Sequence, residues 1–174
     1  MADPNMTPNT DASHIGLKFG WVMFLALGIQ VLAVGFINEI SFDAARALLV
    51  ASYVVLFPAV FMNIKRPGLG LVMVGLALNF IVIAANGGAM PIDPASLGAS
   101  TDEVDALSSQ SGFLPITKDV VRVGDDVNLR ILSDIFPLPG PLRVAFSIGD
   151  VFILAGILMF AFAPLWPRKW SIRK

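Results

Sequence analysis

Few of the 174 residues have types and spacings from which chemistry can be built. His14 is the single histidine, just ahead of the first long apolar stretch. A histidine there can ligate a metal or a pigment edge, but the partners such a site needs are missing nearby. An exposed interfacial histidine is the favoured reading. Cysteine is absent, which removes disulfides, thiolate metal sites and iron–sulfur clusters together. Asp102-Glu103-x-Asp105 and Asp125-Asp126 lack the spacing of a calcium loop and read as solvated acidic surface. No glycine-rich phosphate loop, serine-nucleophile motif or H-E-x-x-H pattern occurs. The expectation is a non-enzyme with no catalytic residue, no cofactor and no metal site.

The better leads are polar side chains inside apolar runs. Asn79 and Asn86 lie seven apart and so share one face of a helix. Gln30, Asn38, Ser52, Tyr53 and Asn63 add hydrogen-bonding groups within or at the ends of such runs. In a bilayer these groups bond a neighbouring helix or line a small polar cavity. No acidic or basic side chain sits in the middle of a run, which disfavours a proton relay. The candidate polar cluster is Asn79, Asn86, Gly87, Gly88 and Asp150, with Asn86 and Asp150 expected close in space, joined directly or through one neighbour as a clasp that pins the loop.

The elements that must position these groups are apolar helices. Hydrophobic residues make up 56% of the chain and charged ones only 14%, well away from a soluble domain. A polar arm at 1–14 precedes the run Ile15 to Ile37, which is long enough to span a bilayer. A second span is expected from about Ala47 to Ile64, kinked near Pro58. The turn Lys65-Arg66-Pro67-Gly68 leads to a third span, Leu69 to about Asn86, stopped by Gly87-Gly88. A fourth runs from Ile148 to about Trp166, opened by a capping-box pattern, Ser147-x-x-Asp150. Small residues recur at Gly28 with Gly35, Ala47 with Ala51, and Gly70 with Gly75, where helices can approach closely.

The fold class expected is an all-α membrane protein: four transmembrane helices, with a roughly sixty-residue extracytoplasmic loop between helices three and four. The segments are 1–14 as arm, 15–86 as three-helix unit, 87–146 as loop, and 147–174 as last helix and basic tail. Within the loop, Val120 to Val123 and Val127 to Leu132 flank Gly124-Asp125-Asp126 and point to a small β-hairpin. Pro137-Leu138-Pro139-Gly140-Pro141 reads as a stiff, extended lead into the last helix. Lys18, Lys65, Arg66, Arg168, Lys169, Arg173 and Lys174 gather on one side of such a fold, most acidic residues on the other. Both termini are therefore expected in the cytoplasm of a bacterial cell (inner) membrane. Trp21, Trp166 and Trp170 fall near that interface.

Two stretches, Ser52 to Ile92 and Ser133 to Ile157, resemble a bacterial family of small multi-pass integral membrane proteins catalogued as a domain of unknown function. The resemblance rests on Asn63 before Lys65-Arg66-Pro67-Gly68, on Asn79, on Asn86-Gly87-Gly88-Ala89-Met90-Pro91, on Ser133-Asp134 and on Gly149-Asp150. It implies architecture and a bacterial origin, not an activity. The function expected is that of a non-catalytic accessory or scaffold subunit of a larger membrane complex, respiratory or photosynthetic. Its partners would be membrane lipids and other integral membrane proteins, with no nucleic acid. The alternative is a small carrier or membrane enzyme acting on a lipid or quinone-like molecule, using Asn79, Asn86 and Asp150.

Overall fold

The computed structural model describes residues 17–35, 41–92, 119–121, 127–138 and 145–165. His14, the polar arm, Asn38, Asp102 to Asp105, Asp125-Asp126, Trp166, Trp170 and the basic tail lie outside them. Four α-helices organise the described residues: α1 (Gly20–Gly35), α2 (Phe42–Phe61), α3 (Leu69–Ala85) and α4 (Ile148–Phe162). A 3-10 turn at Ala163–Leu165 extends α4. Two stretches, Phe42–Phe61 and Ile148–Leu165, are long and apolar enough to cross a membrane.

Helix α2 begins five residues before the expected Ala47. Ser41 supplies the reason: its side chain accepts from the Ala44 amide at 3.2 Å, and Asp43 places a carboxylate in the positive first turn. The charges of Asp43 and Arg46 mark a polar first turn of the helix rather than its boundary. The helix continues through Pro58 to Phe61, although proline offers no amide to the preceding turn. Gly68, in the left-handed region at φ 79°, lets α3 start directly after the basic turn.

The buried stripe of α2 runs through Leu49, Ser52, Tyr53, Leu56 and Val60, and that of α3 through Val72, Gly75, Leu76, Asn79 and Ile83. Both repeat at helical spacing. Polar Ser52, Asn63, Asn79 and Asn86 are buried, while Phe24, Val31, Val54 and Phe61 are exposed. That inversion of the soluble pattern suits a helix bundle surrounded by lipid. Tyr53, Phe57 and Phe80 join α2 to α3, with Phe57 and Phe80 edge to face at 5.5 Å.

Helices pack in chain order: α1 on α2, α2 on α3, and α3 on α4, while α1 and α4 share no extended contact. The α3–α4 seam is made by glycines. A Cβ at Gly75 would overlap the carbonyl oxygen of Gly149, and one at Gly68 that of Gly156. Gly68 and Gly75 are seven apart, as are Gly149 and Gly156, so the two antiparallel elements meet through matched backbone surfaces. Of the small-residue pairs expected at contacts, Gly75 lies in this seam. Gly28 and Gly70 face open space.

Between α3 and α4 the described chain forms four short strands. β1 (Met90–Ile92) is wholly buried and pairs in parallel with β2 (Asp119–Val121). On its other edge the Asp134 amide donates to the Pro91 carbonyl at 3.2 Å. β3 (Phe136–Pro137) pairs antiparallel with β4 (Ala145–Phe146). The hairpin expected between Val120 and Leu132 is therefore corrected. Val120 pairs with Pro91 instead, and Arg130–Leu132 coils into a 3-10 turn behind Leu129 at φ 57°. The backbone of Asn128 cannot join a ladder, because the Asn86 side chain takes both its N–H and its C=O. Of the stiff, extended lead expected at Pro137 to Pro141, Pro137 pairs with Ala145 in β3–β4, and Pro139 to Pro141 lie outside the described residues.

Candidate functional site

The last turns of α3 and the first turn of α4 build a closed polar ring. Asn79 Nδ2 donates to Asp150 Oδ1 at 2.7 Å. Ser147 Oγ lies 2.9 Å from both Asn79 Oδ1 and Asp150 Oδ2, and its single proton can serve one of them at a time. The Ser147 and Asp150 backbone amides complete the expected capping box, donating to Asp150 Oδ2 at 3.0 Å and Ser147 Oγ at 3.1 Å. Gly149 makes the ring possible, because a Cβ there would overlap Asn79 Oδ1. Ser147 is fully buried behind the pair, where no substrate reaches its hydroxyl.

Asn79 and Asp150 also line a cleft of about 430 Å³ that draws side chains from all four helices. Its floor is α2 and α3, through Tyr53, Leu56 and Leu76; its walls are α1 and α4. At the rim, Phe24, Leu27 and Ile157 are about half or more exposed. The lining groups Asn79, Asp150 and Gln30 form a polar end. From there to Leu69 and Phe160 the lining is ten residues long on α3 and on α4, or about 15 Å of helix. A cleft of this size, mostly apolar with a few convergent polar groups, has the form of a small-molecule site.

The structure bonds Asn79 directly to Asp150, and the Asn86 amide is engaged by α3 and by the chain at Asn128. Asn86 Nδ2 donates to Val82 O at 2.8 Å and to Asn128 O at 2.9 Å, and Oδ1 accepts from the Asn128 amide at 2.9 Å. Both its N–H groups are thus committed elsewhere and none is left for the carboxylate. Gly87 and Gly88 are both left-handed, at φ 73° and 91°. Their amides donate to Ala84 O at 3.4 Å and Ile83 O at 2.8 Å, which closes α3 in a Schellman motif. Arg46 lies over this turn: a Cβ on Gly87 would sit 3.0 Å from its Nη2.

Sequence reasoning missed Ser147 as the third member of the ring, and Gly149 and Gly156 as the α4 half of the seam. The seven-residue spacing shared by Gly68 with Gly75 and Gly149 with Gly156 carried that signal. Asn63 was legible as a polar residue and as part of the family pattern but not as a clamp, yet it holds Lys18 as Asn86 holds Asn128.

These features define a helical protein of an uncharacterised class, with a polar-tipped apolar cleft. The chain belongs to a Family of unknown function (DUF5317), whose profile matches residues 14–162. No curated protein and no solved structure matches the chain.

Proposed function

We propose that this protein binds one amphipathic, lipid-like molecule within a membrane, tail along the apolar cleft and head at Asn79 and Asp150. The observation that carries the reading is the cleft itself, about 430 Å³ with its polar groups at one end. The bundle crosses a bacterial inner membrane four times, with both termini in the cytoplasm and the strands outside, as the distribution of basic residues favours. Two helices meet the length and apolarity of a span outright. Helices α1 and α3 are shorter, at 16 and 17 residues, and cross with the help of their flanking turns. The gap between α1 and α4 then opens sideways into the lipid, so a hydrophobic ligand enters without passing through water. An accessory role within a larger membrane complex is compatible with the same cleft, which would present the ligand to a partner.

Displacement of a lipophilic fluorophore, N-phenyl-1-naphthylamine, from purified protein in mild detergent tests the reading. Wild type should bind the dye saturably, and Leu76→Trp, which fills the cleft floor, should not. Equal dye binding by both proteins would rule out the cleft as the site.

A further inference from the structure

Resting on the membrane reading above, but not on the cleft, we propose that Lys18 and Lys65 bind the phosphate of an anionic phospholipid at the end of the bundle opposite the polar ring. Asn63, just past the end of α2, is buried and takes both backbone groups of Lys18, accepting from its N–H and donating to its C=O at 2.8 Å each. The Asn63 carbonyl accepts from the Arg66 amide at 2.8 Å, which folds the chain through Lys65 into a tight turn. One asparagine thereby sets Lys18 beside the turn that carries Lys65, although the two lie far apart in sequence. Both lysines are exposed, and neither has an ion pair among the described residues. Their long, flexible stems let both ammonium groups reach one phosphate. Arg66 is half-buried and already engaged, so the two lysines carry the contact.

The backbone and the charge pattern both point to this end. Phe19 sits in the left-handed region at φ 54°, which bulky side chains rarely adopt and which persists only where the surroundings enforce it. That strain is held in place directly after the residue that Asn63 grips. The described carboxylates, Asp43, Asp119, Asp134 and Asp150, all lie at the other end, in the first turns of α2 and α4 or on the chain between α3 and α4. The 20 residues of α2 put about 30 Å of helix between Asp43 and the lysines. No described carboxylate is therefore near enough to offset them. In the four-span arrangement this end meets the cytoplasmic leaflet, where lipid phosphates supply the opposite charge. Phe19, Trp21, Phe61 and Ile64 are exposed around the lysines, an apolar collar that suits acyl chains rather than a soluble anion.

Trp21, exposed and close to Lys18 in the chain, reports on the site by its own fluorescence. Full-length protein carrying Trp166→Phe and Trp170→Phe is reconstituted in vesicles of phosphatidylcholine and phosphatidylglycerol, with brominated chains on one lipid or the other as a contact quencher. At equal mole fraction, brominated phosphatidylglycerol should quench Trp21 as if enriched about three- to tenfold, the scale of lysines acting on anionic lipid. Lys18→Gln with Lys65→Gln should abolish that excess and leave the unfolding temperature unchanged, because the clamp uses only the backbone of Lys18. Lys169→Gln with Lys174→Gln removes the same charge and should keep the excess. Equal quenching by the two lipids, an excess that survives Lys18→Gln with Lys65→Gln, or equal loss in both double variants overturns the proposal and leaves the membrane reading standing. An excess abolished by inorganic phosphate but not by chloride at the same ionic strength would assign the site to a soluble anion and overturn the lipid. Absence of quenching by either lipid removes the membrane reading, and this proposal with it.

Discussion

Asn86 holds Asn128 by both of its backbone groups, accepting from N–H and donating to C=O at 2.9 Å each. Asn63 holds Lys18 in the same way, at 2.8 Å for each bond, and each asparagine also donates to the carbonyl four residues earlier in its own helix. One device thus ties the start of α1 to the end of α2, and the inter-helix chain to the end of α3. Each buried amide replaces water for two backbone groups that no helix satisfies.

Removing such a clamp strands a buried donor and acceptor. Asn86→Leu should cost about 1–3 kcal/mol of stability, measured by thermal unfolding in detergent. Asn86→Asp should also destabilise, because a carboxylate cannot donate to the Val82 and Asn128 carbonyls. A wild-type melting temperature for both variants would show that the clamp contributes nothing.

The glycine seam makes a prediction with a change of sign. Gly75→Ala and Gly149→Ala force a methyl group into backbone or the Asn79 amide and should destabilise by about 1–3 kcal/mol. Gly28→Ala, in the middle of α1 and facing open space, should stabilise by up to about 1 kcal/mol through helix propensity. Unfolding curves that rank the three variants otherwise would contradict the α3–α4 packing.

At the end of α3 the cost is one of backbone conformation. Gly88→Val, at φ 91°, should lose on the order of 1–2 kcal/mol. Gly87→Asn should lose less than Gly87→Val, since asparagine tolerates the left-handed region. Equal losses at Gly87 would show that crowding by Arg46 outweighs backbone strain there.

The four helices were legible because each is an apolar run, and the start of α3 at Gly68 and its stop at Gly87-Gly88 because glycine supplies the left-handed φ. What sequence could not supply was axial register. Asn79 and Asn86 share a helix face, and whichever lies opposite Asp150 depends on how far α4 slides along α3. That offset is set by Gly75 against Gly149, a contact between backbones that hydropathy does not register. The misplaced hairpin has a similar origin. Val127 to Leu132 is β-favouring in type, but a side chain 42 residues away claims the Asn128 backbone.

Topology can be checked by fusion. With four spans, a reporter after Lys174 should be active in the cytoplasm and one within Asp102 to Asp105 outside. Reversed labelling would overturn the orientation, and both reporters on one side would overturn the number of crossings.

Native mass spectrometry of the protein released from mild detergent tests the cleft most directly. Wild type should carry one amphipathic adduct per chain, and Leu76→Trp should fly as the bare chain at the same detergent concentration. A wild-type chain that never carries an adduct, or an adduct retained at the same occupancy in Leu76→Trp, would contradict the account.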